Sequence, residues 1–197
     1  MGLPPANWTL MDFVAWENSQ TERHEFVNGE IVNMSGGTTR HAILQSTLTR
    51  MLGVQLQGKT CFPVGNDQRL HVLATDLIAY PDLQVLCGTW EKSPNDPYAV
   101  TNPTVIVEVL SPSTELYDRR DKLAHFQRIP SLQAFVLVSQ EERRVDLYQR
   151  LDDGRWALST LREGAIPLPS IGAELTVEAL YADADRLAPL DGNSSTA

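Results

Sequence analysis

Residues Thr104 to Leu110 read Thr-Val-Ile-Val-Glu-Val-Leu, an apolar run broken by a single carboxylate. A run this short, apolar and rich in β-branched residues predicts a central strand buried on both faces. Glu108 is costly in that setting unless it is paired, hydrogen-bonded or bound to a metal. At the two-residue period of a strand it shares a face with Ile106 and Leu110. The plainer alternative is a salt bridge at the strand end, for example to an arginine.

Asp82 follows Pro81 at the head of a second apolar run, Leu83 to Cys87. Alone, a Pro-Asp step is a common turn. Its position gains meaning beside Glu108, because in an antiparallel pair the start of one strand lies opposite the end of its partner. Two carboxylates brought together there could hold a hard divalent cation. Lys122 lies two helical turns into the next segment. On a helical wheel at ~100° per residue, Leu116, Leu123 and Phe126 form the inward stripe and Lys122 stands at its border. Its stem could lie against the sheet while the ammonium reaches the strand ends. Position alone favours a surface pair with Asp118, worth on the order of a few tenths of a kcal/mol.

His41, after Arg40 at the start of a predicted helix, is a reserve candidate for the same site. His24, His71 and His125 share no zinc-like spacing with it. Glu30 and Asp67 each border a strand, where surface roles are the simpler reading. There is no Gly-rich phosphate loop and no Gly-x-Ser-x-Gly elbow. Ser35-Gly36-Gly37 is too short a signal to use.

Thr9-Leu10-Met11-Asp12 predicts a capping box opening a helix to about Glu17. His24 to Val27 and Glu30 to Met34 flank Asn28-Gly29, a two-residue hairpin signal. Thr39 to Leu56 carries an apolar stripe at helical spacing. Strands are expected over Thr60 to Val64, Gln68 to Ala74 and Tyr80 to Cys87, then a long loop from Gly88 to Asn102. Pro112-Ser113 opens a helix ending at Ile129-Pro130. Strands follow over Gln133 to Val138, Arg144 to Arg150 and Trp156 to Thr160, with Asp153-Gly154 as a hairpin turn and a short helix over Thr176 to Tyr181. Strands in runs with helices between them predict an α/β or α+β mixed sheet with helices on its faces.

With 197 residues, 42% hydrophobic and 21% charged, the chain reads as one globular domain over residues 1–190 and a disordered tail over 191–197. No apolar run is long enough to cross a membrane, and Met1 to Trp8 lacks signal-peptide features. A cytoplasmic protein is expected, with Cys61 and Cys87 as buried free thiols. The net charge of −9 speaks against nucleic-acid binding. Arg119, Arg120, Lys122, Arg128, Arg143 and Arg144 cluster in the middle third, however, and a bound metal would offset some of the acidity.

Several motifs in order resemble the Uma-type family of restriction-endonuclease-like proteins in the PD-(D/E)XK superfamily. They are His24-Glu25-Phe26-Val27-Asn28-Gly29-Glu30-Ile31, Met34-Ser35-Gly36-Gly37, Arg40-His41, Tyr80-Pro81-Asp82, Val107-Glu108-Val109-Leu110-Ser111-Pro112-Ser113-Thr114, Tyr117-Asp118-Arg119-Arg120-Asp121-Lys122-Leu123 and Ile129-Pro130-Ser131-Leu132. The resemblance spans about residues 9–182. It implies a restriction-endonuclease-like central mixed β-sheet flanked by helices, with an N-terminal helix and β-hairpin. It also implies Asp82 and Glu108 as metal ligands. The superfamily's usual lysine stands two residues after the second acid, where this chain has Leu110, and the resemblance implies that Lys122 takes its role. Glu25, Glu30, Asp67 and His41 fall in family-like segments without an assigned role.

The expectation is a Mg²⁺-dependent endonuclease, with Mn²⁺ as a substitute metal, hydrolysing DNA phosphodiester bonds and plausibly a homodimer. Asp82 and Glu108 would bind the metal, Lys122 would orient water or stabilise charge, and His41 would contact phosphate or the attacking water. The alternatives are an inactive nuclease-fold binding or regulatory module, favoured by the acidic charge and displaced lysine, and a two-carboxylate glycosidase.

Overall fold

The structure is a computed structural model that describes residues 8–34, 36–112 and 115–190. Helix α1 (Leu10–Glu17) opens on the capping box, with Thr9 and Asp12 exchanging side-chain-to-backbone hydrogen bonds of 3.2 Å. The hairpin β1 (His24–Val27) to β2 (Glu30–Asn33) closes through Asn28 and Gly29, both at positive φ, with Val27 opposite Glu30. This is the turn the Asn-Gly step favours. Helix α2 (Thr39–Leu56) buries Leu44, Leu48, Leu52 and Leu56.

Two larger sheets follow, where the sequence reading expects one. A six-stranded sheet runs in the order β11 (Trp156–Leu161), β10 (Val145–Arg150), β9 (Ala134–Ser139), β8 (Pro103–Leu110), β6 (Leu83–Cys87), β3 (Cys61–Gly65). It is mixed, because β8 and β9 are parallel and the other pairs antiparallel. A five-stranded sheet has the order β2, β1, β5 (Leu77–Ala79), β4 (Arg69–Val72), β7 (Ala99–Val100). A small hairpin, β12 (Ala165–Leu168) with β13 (Ala173–Thr176), leads into α5 (Val177–Leu187).

The predicted strand over Tyr80 to Cys87 therefore divides. Tyr80-Pro81-Asp82 crosses from one sheet to the other, and Pro81 has no N–H to give a ladder. The segment Gln68 to Ala74 narrows to β4, β5 goes unforeseen, β7 lies inside the expected loop, and the last helix runs on to Leu187. The expected tail over 191–197 and the helix-opening Ser113 lie outside the described residues.

Strand β8 is central and buried, and its alternation organises the layers. Val105, Val107 and Val109 face α2 and α5, packing with Leu44, Leu48, Leu52 and Leu180. Ile106 and Leu110 face the other way, into a cluster with Phe126, Phe135, Leu70 and Leu77 that joins the two sheets. Glu108 belongs to this second face.

One expectation is overturned outright. Cys61 and Cys87 are not free thiols but a disulfide. The two residues are 26 apart in sequence, yet the β3–β6 register sets them directly opposite. A free-thiol reading could not see that pairing. Among the described residues no helix is long and apolar enough to cross a membrane.

Candidate functional site

The antiparallel pairing of β6 with β8 puts Leu83 opposite Val107, so Asp82 and Glu108, the next residues outward, meet at the end of the ladder. The Asp82 N–H donates to Glu108 Oε2 at 3.0 Å, and the Val109 N–H donates to Asp82 Oδ2 at 2.8 Å. Each acid is tied to the backbone beside the other. The strands, not side-chain freedom, fix their separation.

Lys122 arrives from the segment after β8, which comprises α3 (Glu115–Tyr117), a π turn over Asp118–Lys122 and α4 (Leu123–Phe126). The α-helical wheel leaves Lys122 at the border. The wider π turn breaks that register, and Asp118 and Lys122 are both buried. Lys122 Nζ lies 3.1 Å from Glu108 Oε1, 3.0 Å from Glu25 Oε1 and 3.4 Å from Asp118 Oδ1. The expected pair with Asp118 exists, as one of three. Leu110, where the superfamily carries its lysine, packs in the apolar cluster. An ammonium still reaches Glu108, from the next helix.

Glu25 gains a place that sequence reasoning left open. It sits mid-strand in β1, is 4% exposed, and its Oε1 also accepts the Tyr80 N–H at 3.4 Å. The structure buries every residue of that strand, which a run reading His-Glu-Phe-Val does not announce as the apolar run around Glu108 does. Glu30, exposed at the hairpin turn, and Asp67, exposed and paired with Arg23, do not join the group.

His41 stands in the first turn of α2 and places Nε2 3.1 Å from Asp82 Oδ2. One turn on, Gln45 donates to the Asp82 carbonyl at 2.8 Å. The start of α2 therefore grips Asp82 by its carboxylate and its backbone. Its Oδ2 receives both Val109 N–H and His41, while Oδ1 accepts no hydrogen bond among the described residues.

Charge is unevenly matched here. Four carboxylates, Glu25, Asp82, Glu108 and Asp118, surround one ammonium and one imidazole. Burial, reinforced by Asp82, Asp118 and Glu25, pushes the Glu108 carboxyl well above its ordinary range against the pull of Lys122. Burial opposes the Lys122 ammonium, but Glu108, Glu25 and Asp118 outweigh it and hold its pKa well above the usual lysine value. Burial also works against a charged His41, and the hydrogen bond and charge of Asp82 raise it nonetheless.

Among the described residues no three His, Cys, Asp or Glu side chains are arranged to hold a metal ion by themselves. Three of the carboxylates converge on Lys122 instead. Glu108 is one of those three, and it is also the carboxylate that stands beside Asp82, so the pair that could meet a cation is Asp82 with a Glu108 shared with Lys122. That is the number of carboxylates Mg²⁺ commonly takes from a protein, completing its shell with water and substrate phosphate.

Comparison with known proteins bears on the fold and the family. A crystal structure described as a putative nuclease belonging to DUF820, from Anabaena variabilis, aligns with a TM-score of 0.75 at 17% identity. The alignment covers 90% of this chain and 99% of that one, so the two share a fold. Two uncharacterized proteins of Synechocystis sp. are each 33% identical to it: slr1290 over 171 residues, 86% of this chain and 89% of its own, and sll1609 over 153 residues, 78% and 86%. Residues 10–178 match the family model named Uma2 and described as "Putative restriction endonuclease". A match over most of the length, from α1 to the start of α5, means that the chain belongs to the Uma2 family of restriction-endonuclease-like proteins.

Proposed function

We propose that the protein is a Mg²⁺-dependent nuclease, with Mn²⁺ as a substitute metal, that hydrolyses phosphodiester bonds of DNA. The observation that carries this reading is the unbalanced charge at the junction of β6, β8 and β1. Four carboxylates, three of them buried outright, share one ammonium and one imidazole. Buried charge of one sign calls for a counterion, and a divalent cation supplies it.

Asp82 and Glu108 would hold the ion, Asp82 through Oδ1, which accepts no hydrogen bond among the described residues. The ion supplies a Lewis acid at the phosphate and a water acidified enough to attack it. The chain's own groups do the positioning. His41 and the Val109 N–H hold Asp82 in one orientation. Lys122 keeps a permanent positive charge beside Glu108, where it can meet charge that develops on the phosphate. The same lysine replaces the one that Leu110 cannot provide.

The direct test is cleavage of plasmid DNA with Mg²⁺, Mn²⁺ or a chelator, by wild type and by Asp82→Ala and Glu108→Ala. Activity that requires metal and vanishes in both variants is expected. Equal residual activity in all three proteins would remove the assignment. A second reading, a nuclease fold turned binding module, draws on the formal charge of −9 and on the three carboxylates that engage Lys122. Calorimetry separates the two, since a module of that kind takes up no Mg²⁺ or Mn²⁺ near neutral pH.

A further inference from the structure

The loop before α2 contains Gly36-Gly37, and only one of these glycines is spatially constrained. A Cβ built on Gly37 would stand 2.8 Å from His41 Nδ1, closer than Cβ atoms are found, and 3.0 Å from its Cγ, a tight contact. A Cβ on Gly36 would meet nothing within 4 Å. Gly37 is not at positive φ, so its backbone is one that any L residue adopts. The three atoms nearest to such a side chain all belong to His41.

That imidazole is the one that reaches Asp82. Nδ1 packs on Gly37 while Nε2, on the far side of the ring, meets Asp82 Oδ2 at 3.1 Å. The ring is thus held between a bare Cα and a carboxylate. The clash at 37 involves the ring and its Cβ, not the loose end of a long chain, so either the ring leaves its present seat or the loop carrying residue 37 moves away from it.

We propose that Gly37 is a positioning residue of the site: its missing side chain lets His41 stand against Asp82, and that contact leaves Oδ1 of Asp82 presented for a cation. This rests on the metal-dependent reading above. Gly37 touches neither substrate nor metal and acts through His41. Outer-shell partners that orient a ligand typically change metal affinity by about 10–100-fold when lost.

The test uses five proteins: wild type, Gly36→Ala, Gly37→Ala, His41→Ala and the double variant Gly37→Ala/His41→Ala. Two quantities are measured on each. One is Mn²⁺ affinity by calorimetry, and the other is the position of the His41 ring C–H resonances in carbon–proton NMR, assigned by their loss in His41→Ala. Gly37→Ala is expected to move the His41 resonances and weaken Mn²⁺ by about 10–100-fold, while Gly36→Ala leaves both unchanged. The double variant, which has room for the added methyl, should bind Mn²⁺ as His41→Ala does, because residues acting through one contact are not additive. Unmoved His41 resonances in Gly37→Ala overturn the proposal. So does a double variant weaker than His41→Ala by the factor that separates Gly37→Ala from wild type. If Gly37→Ala does not fold alone, the double variant decides: Mn²⁺ affinity equal to that of His41→Ala upholds the proposal, and affinity weaker by about 10-fold or more overturns it. A wild type that takes up no Mn²⁺ removes the metal reading instead, and the ring resonances still decide whether Gly37 seats His41.

Discussion

Two buried ionic clusters lie back to back in this molecule, and they are built on neighbouring residues. His24 and Glu25 are adjacent in β1, and alternation along a strand sends them to opposite faces. Tyr80 and Asp82 flank Pro81 in the crossing between the sheets. On one side, Glu17 accepts from the Tyr80 hydroxyl at 2.8 Å and from the His24 backbone at 3.0 Å, and pairs with the His24 ring at 2.9 Å. Arg69 donates to Tyr80 at 2.7 Å, to Asp96 at 2.6 Å and to Asn18 at 3.0 Å. Two carboxylates there share one guanidinium and a dense set of neutral donors. On the other side, four carboxylates share Lys122 and His41. The first cluster pairs its charges with its own guanidinium and neutral donors, tying α1, β1, β4 and the loop before β7. The second gathers four carboxylates around one ammonium and one imidazole, and the functional reading proposed above draws on this difference.

The comparison breaks most readily at Arg69. Removing one partner of a buried ion pair leaves the rest uncompensated and typically costs about 3–5 kcal/mol. Arg69→Met strands Asp96, which is fully buried. Urea denaturation should show a loss of that order, with Mn²⁺ affinity of the folded protein unchanged. A Mn²⁺ affinity that falls as well would mean that the two clusters are one system.

Glu108→Gln should give the opposite pattern. The amide keeps an acceptor for the Asp82 N–H, and Lys122 retains Glu25 and Asp118. With one excess carboxylate gone, stability should stay within about 1 kcal/mol of wild type or exceed it, as functional sites often trade stability for activity. Mn²⁺ affinity should fall by more than the roughly 10–100-fold of an outer-shell loss. A variant that loses stability as Arg69→Met does would make Glu108 a structural residue.

The same carboxylate sets a pH dependence. Burial and its acidic neighbours raise the Glu108 pKa in the fold above the ordinary 4.5. Native protein therefore keeps a proton that the unfolded chain has already released. Stability from this group is present below about pH 4.5 and declines as pH rises through the folded value. Urea midpoints measured against pH should show that decline in wild type, a flatter profile in Glu108→Gln, and recovery when Mg²⁺ is added near neutrality. A decline that survives the Gln substitution would assign it elsewhere.

Much of this was legible in the sequence, for identifiable reasons. Local signals carried α1, the β1–β2 hairpin and β8, since caps, Asn-Gly and a β-branched run act within a few residues. The Asp82–Glu108 pairing followed from strand polarity. What escaped were features set by long-range register. The Cys61–Cys87 bond depends on β3 lying beside β6, and the burial of Lys122 depends on a π turn that no α-helical wheel contains. Glu25 escaped because its partner cation comes from a segment about a hundred residues away in the sequence. Ile106, Leu110 and Leu77 announced a core, but not that two sheets would share it.

Tyr80 offers the finest test, because it borders both clusters. Its hydroxyl links Glu17 to Arg69, while its backbone N–H points at Glu25. Tyr80→Phe removes the hydroxyl and keeps the ring on which the Arg69 guanidinium rests, 5.4 Å from the centroid. Arg69 and Glu17 each retain other partners, so the loss should be about 1 kcal/mol, the net worth of a typical hydrogen bond. The backbone contact with Glu25 is untouched, and Mn²⁺ affinity and DNA cleavage should match wild type. A change in cleavage with stability intact would show that the first cluster steers the second through Pro81, the one residue between Tyr80 and Asp82, and the division between a structural and a chemical cluster would then have to be drawn at Pro81 rather than at the faces of β1.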